Sequence, residues 1–152
     1  MGQGNDGKTE LPHGKRVRKT DPRIKALALL DELGAVLGLA KAKLSGKKEA
    51  ADLHKIQLTL LKAAALAAGM DFKTELARET AALEARIEIL AKTRKPLREF
   101  VLPGRNGTEA LLHLARTKAR ICEIALWGIN SGPAAVYLNR LSDYLFLLAE
   151  AK

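Results

Sequence analysis

The sequence predicts an all-α protein: a five-helix bundle with a glycine-rich basic N-terminal loop. Three observations predict it. Hydrophobic residues make up 47 % of the chain but aromatics only 4 %, so the apolar mass is mostly Leu and Ala. Those residues lose little on entering a helix, whereas strands favour β-branched and aromatic side chains. Apolar positions recur every three or four residues through five segments, and no stretch alternates convincingly at period two. Gly and Pro cluster between the segments. At 152 residues the chain fits a single domain, 1–152, with the glycine-rich basic loop over 1–20 and the bundle over 21–152.

Each element has its own signal. Gly2, Gly4, Gly7 and Gly14 mark residues 1–20 as a loop. Asp21-Pro22 starts the first helix, Asp as N-cap and Pro at the first helical position. Leu27, Leu30, Leu33 and Leu37 then keep helical spacing to about residue 42. Ser45-Gly46 breaks the pattern. The second helix spans about 48–68, with Leu53, Ile56, Leu60 and Ala64 on one face and Gly69 as the residue after its cap. The third, about 72–92, carries Leu76, Leu83, Ile87 and Leu90. Prolines and glycines from Pro96 to Gly107 exclude helix, and the apolar Phe100-Val101-Leu102 inside that loop is expected to dock onto something. The fourth helix spans about 108–129, Asn130-Ser131-Gly132-Pro133 ends it, and the fifth starts near Pro133.

Charge narrows the partners. The net charge is +9, from 26 Lys and Arg against 17 Asp and Glu, and residues 1–25 hold seven basic and three acidic side chains. An anion is expected at that end: nucleic acid, an acidic partner or a nucleoside triphosphate. Nucleic acid is the weakest of these, because stacking aromatics and a helix-turn-helix signature are lacking. A lone cysteine, Cys122, excludes a disulfide framework and a Cys-based zinc cluster, and no metal-ligand set is predicted. No apolar run approaches the ~20 residues of a membrane span, and no signal-peptide core follows Met1, so a cytoplasmic setting is expected.

Four groups of residues invite chemistry. Gly4-Asn5-Asp6-Gly7-Lys8-Thr9, followed by Lys15-Arg16-Val17-Arg18-Lys19, offers backbone N–H groups, a hydroxyl and cations to a phosphate; taken alone, it suits a frayed basic tail better. His113, Arg116, Arg120 and Glu123 share one stripe of the fourth helix, either as a site between helices or as a salt-bridged face. Asn139, Arg140 and Asp143 are polar in an apolar helix and need partners, by inter-helix bonding or at a subunit contact. Asp31-Glu32 places at least one carboxylate near the core margin, where it calls for an Arg. Cys122 and Trp127 read as packing residues.

The order of these motifs resembles one family. Gly-x-Asp-Gly-x-Thr is followed by Arg16-Val17-x-Lys19-x-Asp21-Pro22-Arg23, Asp31-Glu32-Leu33 and Phe100-Val101-Leu102-Pro103-Gly104. Leu112-His113-Leu114-Ala115-Arg116-x-x-x-Arg120-x-x-Glu123 comes next, and Tyr137-Leu138-Asn139-Arg140-Leu141-Ser142-Asp143-Tyr144-Leu145-Phe146 closes the series. The whole series is similar to the PduO-type ATP:cob(I)alamin adenosyltransferases. The resemblance implies a homotrimer of five-helix bundles with sites between subunits. The implied reaction moves the 5′-deoxyadenosyl group of ATP to Co(I) of a corrinoid and releases triphosphate, with Mg²⁺ as helper. It carries ATP contacts over to Gly4, Thr9, Lys19, Arg120, Glu123 and Asn139. Asp31 and Arg116 match an acid–base pair at the subunit boundary, so Arg120, Asp31 and Arg116 form the implied catalytic set. Phe100 matches the aromatic at the lower face of the corrin. A reductase or a cobalamin-dependent enzyme is an implied partner.

The chain also departs from the family pattern. Met1-Gly2-Gln3 stands where Thr-Lys-x is usual, Asn5 replaces an Asp, Lys8 takes a small or hydroxylic position, and Ile121 replaces the second of two arginines. The connection from Glu123 to Asn139 is short. These departures keep open an alternative, a relative that binds ATP or delivers cobalamin with weak or no transfer.

Overall fold

The computed structural model describes residues 4–93 and 100–152. The departure at Met1-Gly2-Gln3, and Pro96 of the expected loop, lie outside the described residues. Five helices follow the expected order: α1 (Pro22–Lys43), α2 (Lys47–Ala67), α3 (Lys73–Lys92), α4 (Gly107–Trp127) and α5 (Gly132–Glu150). The punctuation residues set their ends. Asp21 Oδ1 accepts from Arg23 N at 2.9 Å, the N-cap bond. The Arg23 side chain also clamps that carboxylate, and with the backbone bond it holds the Asp21 carboxyl at about 2, against an ordinary 3.8. Gly69, at φ +105°, ends α2 in a conformation that favours glycine. Asn106 Oδ1 caps α4 through Glu109 N at 2.9 Å.

α5 is the central helix. It is apolar over most of its surface, so it packs against both α4 and α3, while α1 packs on α4 and α2. Leu33 and Leu37 of α1, Leu53 and Ile56 of α2, Leu112 and Leu126 of α4 and Leu138, Leu141 and Leu145 of α5 are fully buried together.

Four expectations are corrected. The N-terminal segment is not all loop: β1 (Lys8–Leu11) and β2 (Lys15–Arg18) pair antiparallel, with Thr9 opposite Val17 and Glu10 opposite Arg16. A 3₁₀ turn, Pro12–Gly14, joins them. These strands are four residues long and polar on both faces, and Leu11 alone is buried, so no alternation betrays them. Asp31 and Glu32 are both exposed rather than at the core margin, because Leu30 and Leu33 take the inward positions of α1; Glu32 reaches Lys118 Nζ at 2.6 Å instead. Trp127 is 52 % exposed, and Phe100 and Leu102 dock onto nothing within the described chain. No helix of the described residues is long and apolar enough to cross a membrane.

Candidate active site

The β1–β2 hairpin forms a cup. Gly4, Asn5, Lys8, Thr9, Glu10 and Arg16 line a cavity of about 530 Å³. Its rim is pinned by Asp6, whose carboxylate accepts from Lys8 N at 3.2 Å and pairs with Arg16 Nη2 at 2.9 Å. The Lys8 backbone N–H is the main reason that the Asp6 carboxyl sits below its usual range. Gly4 has φ +117°, and a Cβ there would meet Lys8 O at 3.0 Å and Lys19 Cε at 3.3 Å. Lys19 therefore folds back against Gly4, at the edge of the cavity that Gly4 and Thr9 line. Lys8 and Arg16 line it and Lys19 lies beside Gly4, so the cup brings cations to an anion, beside the carboxylates of Asp6 and Glu10.

A second cluster lies where α4 faces α5. Arg120 Nη1 is 2.8 Å from Glu123 Oε2 and donates to Asn139 Oδ1 at 2.9 Å. The i, i+3 spacing puts Arg120 and Glu123 on one face. The Arg120 side chain is half exposed, while that of Glu123 is mostly buried. An anchored guanidinium that keeps one side in solvent can meet an incoming anion without reorganising.

Other expected members stand apart. Arg116 Nε donates to His113 Nδ1 at 3.3 Å, and Asp31 makes no side-chain bond among the described residues, so the Asp31–Arg116 pair does not form within one chain. Arg140 turns to Asp143 at 3.0 Å and to Glu84 of α3 at 3.3 Å, a structural contact between helices. Among the described residues no hydrogen bond or ion pair joins the cup to the Arg120 cluster. Ile121 lines an apolar groove of about 280 Å³ with Pro22, Leu29 and Ile124. Cys122 is buried, which pushes its thiol up to about 12 and leaves it inert as a nucleophile.

Sequence reasoning missed one buried cluster. His113 is enclosed between Glu109 and Glu150, with Arg105 reaching both carboxylates. The signal was present: Asn106-x-x-Glu109 has capping-box spacing, and His113 follows Glu109 by one helical turn.

The family model for cobalamin adenosyltransferase matches residues 1–152. The chain belongs to this family. Among its cobalamin adenosyltransferase relatives, the corrinoid adenosyltransferase PduO of Citrobacter freundii is 39 % identical, over 98 % of this chain and 48 % of its own length. The chain thus spans about half the length of that relative. The corrinoid adenosyltransferase of Bacillus subtilis is 36 % identical, over 96 % of this chain and 81 % of its own length. A variant PduO-type ATP:corrinoid adenosyltransferase from Lactobacillus reuteri, solved with cobalamin and ATP, superposes with a TM-score of 0.88. That structure is 26 % identical and aligns over 97 % of this chain and 86 % of its own. The five-helix bundle expected from the sequence is the fold that superposes on that enzyme.

Proposed function

We propose that this chain works as one adenosyltransferase domain over 1–152, moving the 5′-deoxyadenosyl group of ATP onto Co(I) of a corrinoid. The observation that carries the reading is the Arg120–Glu123–Asn139 cluster, held on a bundle of the family fold that also carries a glycine-rich cationic cup. In this reading Gly4, Thr9 and Lys19 receive the triphosphate, and Arg120, Glu123 and Asn139 hold the nucleotide.

The chemistry asks little of the protein beyond placement. Co(I) is the nucleophile. Its electron pair forms the Co–C bond at C5′, the C5′–O bond breaks, and triphosphate leaves with that bonding pair. No protein base is required. The chain must align C5′ with cobalt and stabilise negative charge growing on the leaving group, which cations and backbone N–H groups do. Mg²⁺ would arrive on the triphosphate, where it supplies neutralising charge. Glu123, a mostly buried carboxylate paired with Arg120, would face the ion through a magnesium-bound water. Phe100 would cover the lower face of the corrin and exclude a lower ligand, easing reduction to Co(I). A reductase has to supply that electron, which suits a cytoplasmic setting.

The working assembly in this reading is a homotrimer. Among the described residues Asp31 makes no side-chain bond and Phe100 has no covering surface, while Ile121, Ile124 and Leu114 expose apolar area on α4. A two-stranded ribbon with one buried residue is marginal by itself, and a neighbouring subunit would steady it. Arg116 would then meet Asp31 across the boundary. Light scattering tests this: a mass three times that of the chain is expected, and a monomer at micromolar concentration contradicts it.

One observation favours a second reading, a slow family member that holds its ligands well. Ile121 turns to an apolar groove and brings no charge to the triphosphate. A missing charged contact is worth about 1–3 kcal/mol, roughly 5- to 150-fold in rate. The test of both readings is the visible spectrum of reduced cobalamin mixed with Mg-ATP and the chain, for wild type and Ile121→Arg. Co–C formation by the wild type supports transfer, and a faster variant supports the second reading. No Co–C formation by either rejects transfer.

A further inference from the structure

The segment that carries Phe100 is tied down by the buried cluster that the sequence did not reveal. Glu109, in the first turn of α4, is fully buried. Its Oε2 accepts from Gly104 N at 2.7 Å and from Arg105 N at 3.1 Å. Its Oε1 lies 3.4 Å from Arg105 Nε and 3.3 Å from His113 Nε2. Arg105 continues to the end of α5, where Nη2 donates to Glu150 Oε1 at 3.0 Å. Gly104, at φ +122°, adopts a backbone conformation that side chains resist, and its N–H turns toward the carboxylate.

Glu109, His113 and Glu150 place ligand atoms within 4.8 Å of one another, the make-up of a cation site. Two contacts give the cluster a different role. The Arg105 guanidinium already reaches both carboxylates. Arg116 Nε donates to His113 Nδ1, so a neutral ring carries its proton on Nε2, where a metal would need a lone pair. The cation of this cluster is Arg105, and Arg105 belongs to the loop.

Phe100 and Leu102 are 103 % and 84 % exposed, so packing does not fix them. What limits their freedom is the anchor at Gly104 and Arg105, two to five residues further along. A buried carboxylate that takes two successive loop N–H groups removes much of the conformational freedom of that loop. We propose that Glu109 is a positioning residue for the corrinoid step: it clamps Gly104 and Arg105 and thereby holds Phe100 and Leu102 where they meet the lower face of the corrin. The proposal rests on the adenosyltransferase reading.

The test compares wild type, Phe100→Ala, Glu109→Gln and the double variant as full chains. Turnover is measured twice, once from Co(II) with reductant and once from pre-reduced Co(I). Amide hydrogen exchange is followed at Gly104 and Arg105. Glu109→Gln keeps the shape but presents an N–H₂ toward Arg105 and His113. It is expected to speed exchange at both amides and to lower the Co(II)-started rate about tenfold or more, with the Co(I)-started rate nearly kept. The double variant should show no further split beyond Phe100→Ala. If Glu109→Gln fails to fold, Arg105→Met removes the guanidinium from a half-exposed site, and the same split, smaller, is expected. Unprotected wild-type amides, equal losses from both cobalt states, or an additive double variant would each overturn the proposal while leaving transfer standing. A wild type that forms no Co–C bond from Co(I) would overturn the functional reading and this proposal together.

Discussion

Replacing Arg120 by Ala separates a functional guanidinium from a decorative one. In the folded chain Arg120 bonds Glu123 at 2.8 Å and Asn139 at 2.9 Å, with its side chain 51 % exposed. Solvent screens such a pair, and its removal should cost about 1 kcal/mol of stability. For a chain of this size that lowers the melting temperature by about 2–4 °C. A preorganised cation aimed at a leaving triphosphate acts where charge develops. Losing one such group costs about 2.7–4 kcal/mol, or about 10²–10³ in kcat. The two numbers lie far apart, so one variant read two ways is decisive. Melting followed by circular dichroism should barely move, while Co–C formation from Co(I) and Mg-ATP falls at least a hundredfold. Turnover within about twofold of wild type would remove Arg120 from the site. A collapse of the melting temperature would show the cluster to be structural.

Gly4→Ala should raise the KM for ATP and leave the melting of the bundle unchanged, because the strain of about 1–3 kcal/mol falls on a hairpin with one buried residue; an unchanged KM would refute the cup. Phe100→Ala should slow turnover from Co(II) far more than from Co(I), since a lower ligand matters chiefly for reduction; equal losses would mark ordinary loop packing. For Asp21 the folded carboxyl sits near 2 against 3.8, so its cap stabilises the fold above pH 3.8 and that contribution is lost as pH falls through about 2. Asp21→Ala should melt lower than wild type at pH 5–7 and match it below about pH 2, and an NMR titration of Asp21 with a midpoint near 3.8 would contradict this.

Helices were legible because Leu30, Leu33 and Leu37, or Leu53, Ile56 and Leu60, carry their period openly, and Asp21-Pro22 and Gly69 mark the ends. The hairpin was not, since Thr9, Glu10, Arg16 and Val17 form strands through backbone bonds that need no apolar alternation. Arg120 and Glu123 were visible as a stripe, and their partner Asn139 as a polar residue in an apolar helix. The placement of Asp31 or Glu32 at the core margin failed because both residues of a carboxylate pair set between Leu30 and Leu33 can still point outward on a 3.6-residue turn. Glu109 stayed hidden because its loop partners, the N–H groups of Gly104 and Arg105, reach it only when the loop folds over the α4–α5 end, where Arg105 also meets Glu150.

Transfer of the adenosyl group fixes a stoichiometry that hydrolysis does not. Wild-type chain, limiting Co(I) corrinoid and excess Mg-ATP are mixed without oxygen, and the Co–C product is counted by its visible spectrum and triphosphate by chromatography. The account predicts one triphosphate for each Co–C bond, with neither ADP nor phosphate formed in step. Nucleotide hydrolysis without a Co–C bond, or an unchanged Co(I) spectrum, would contradict it.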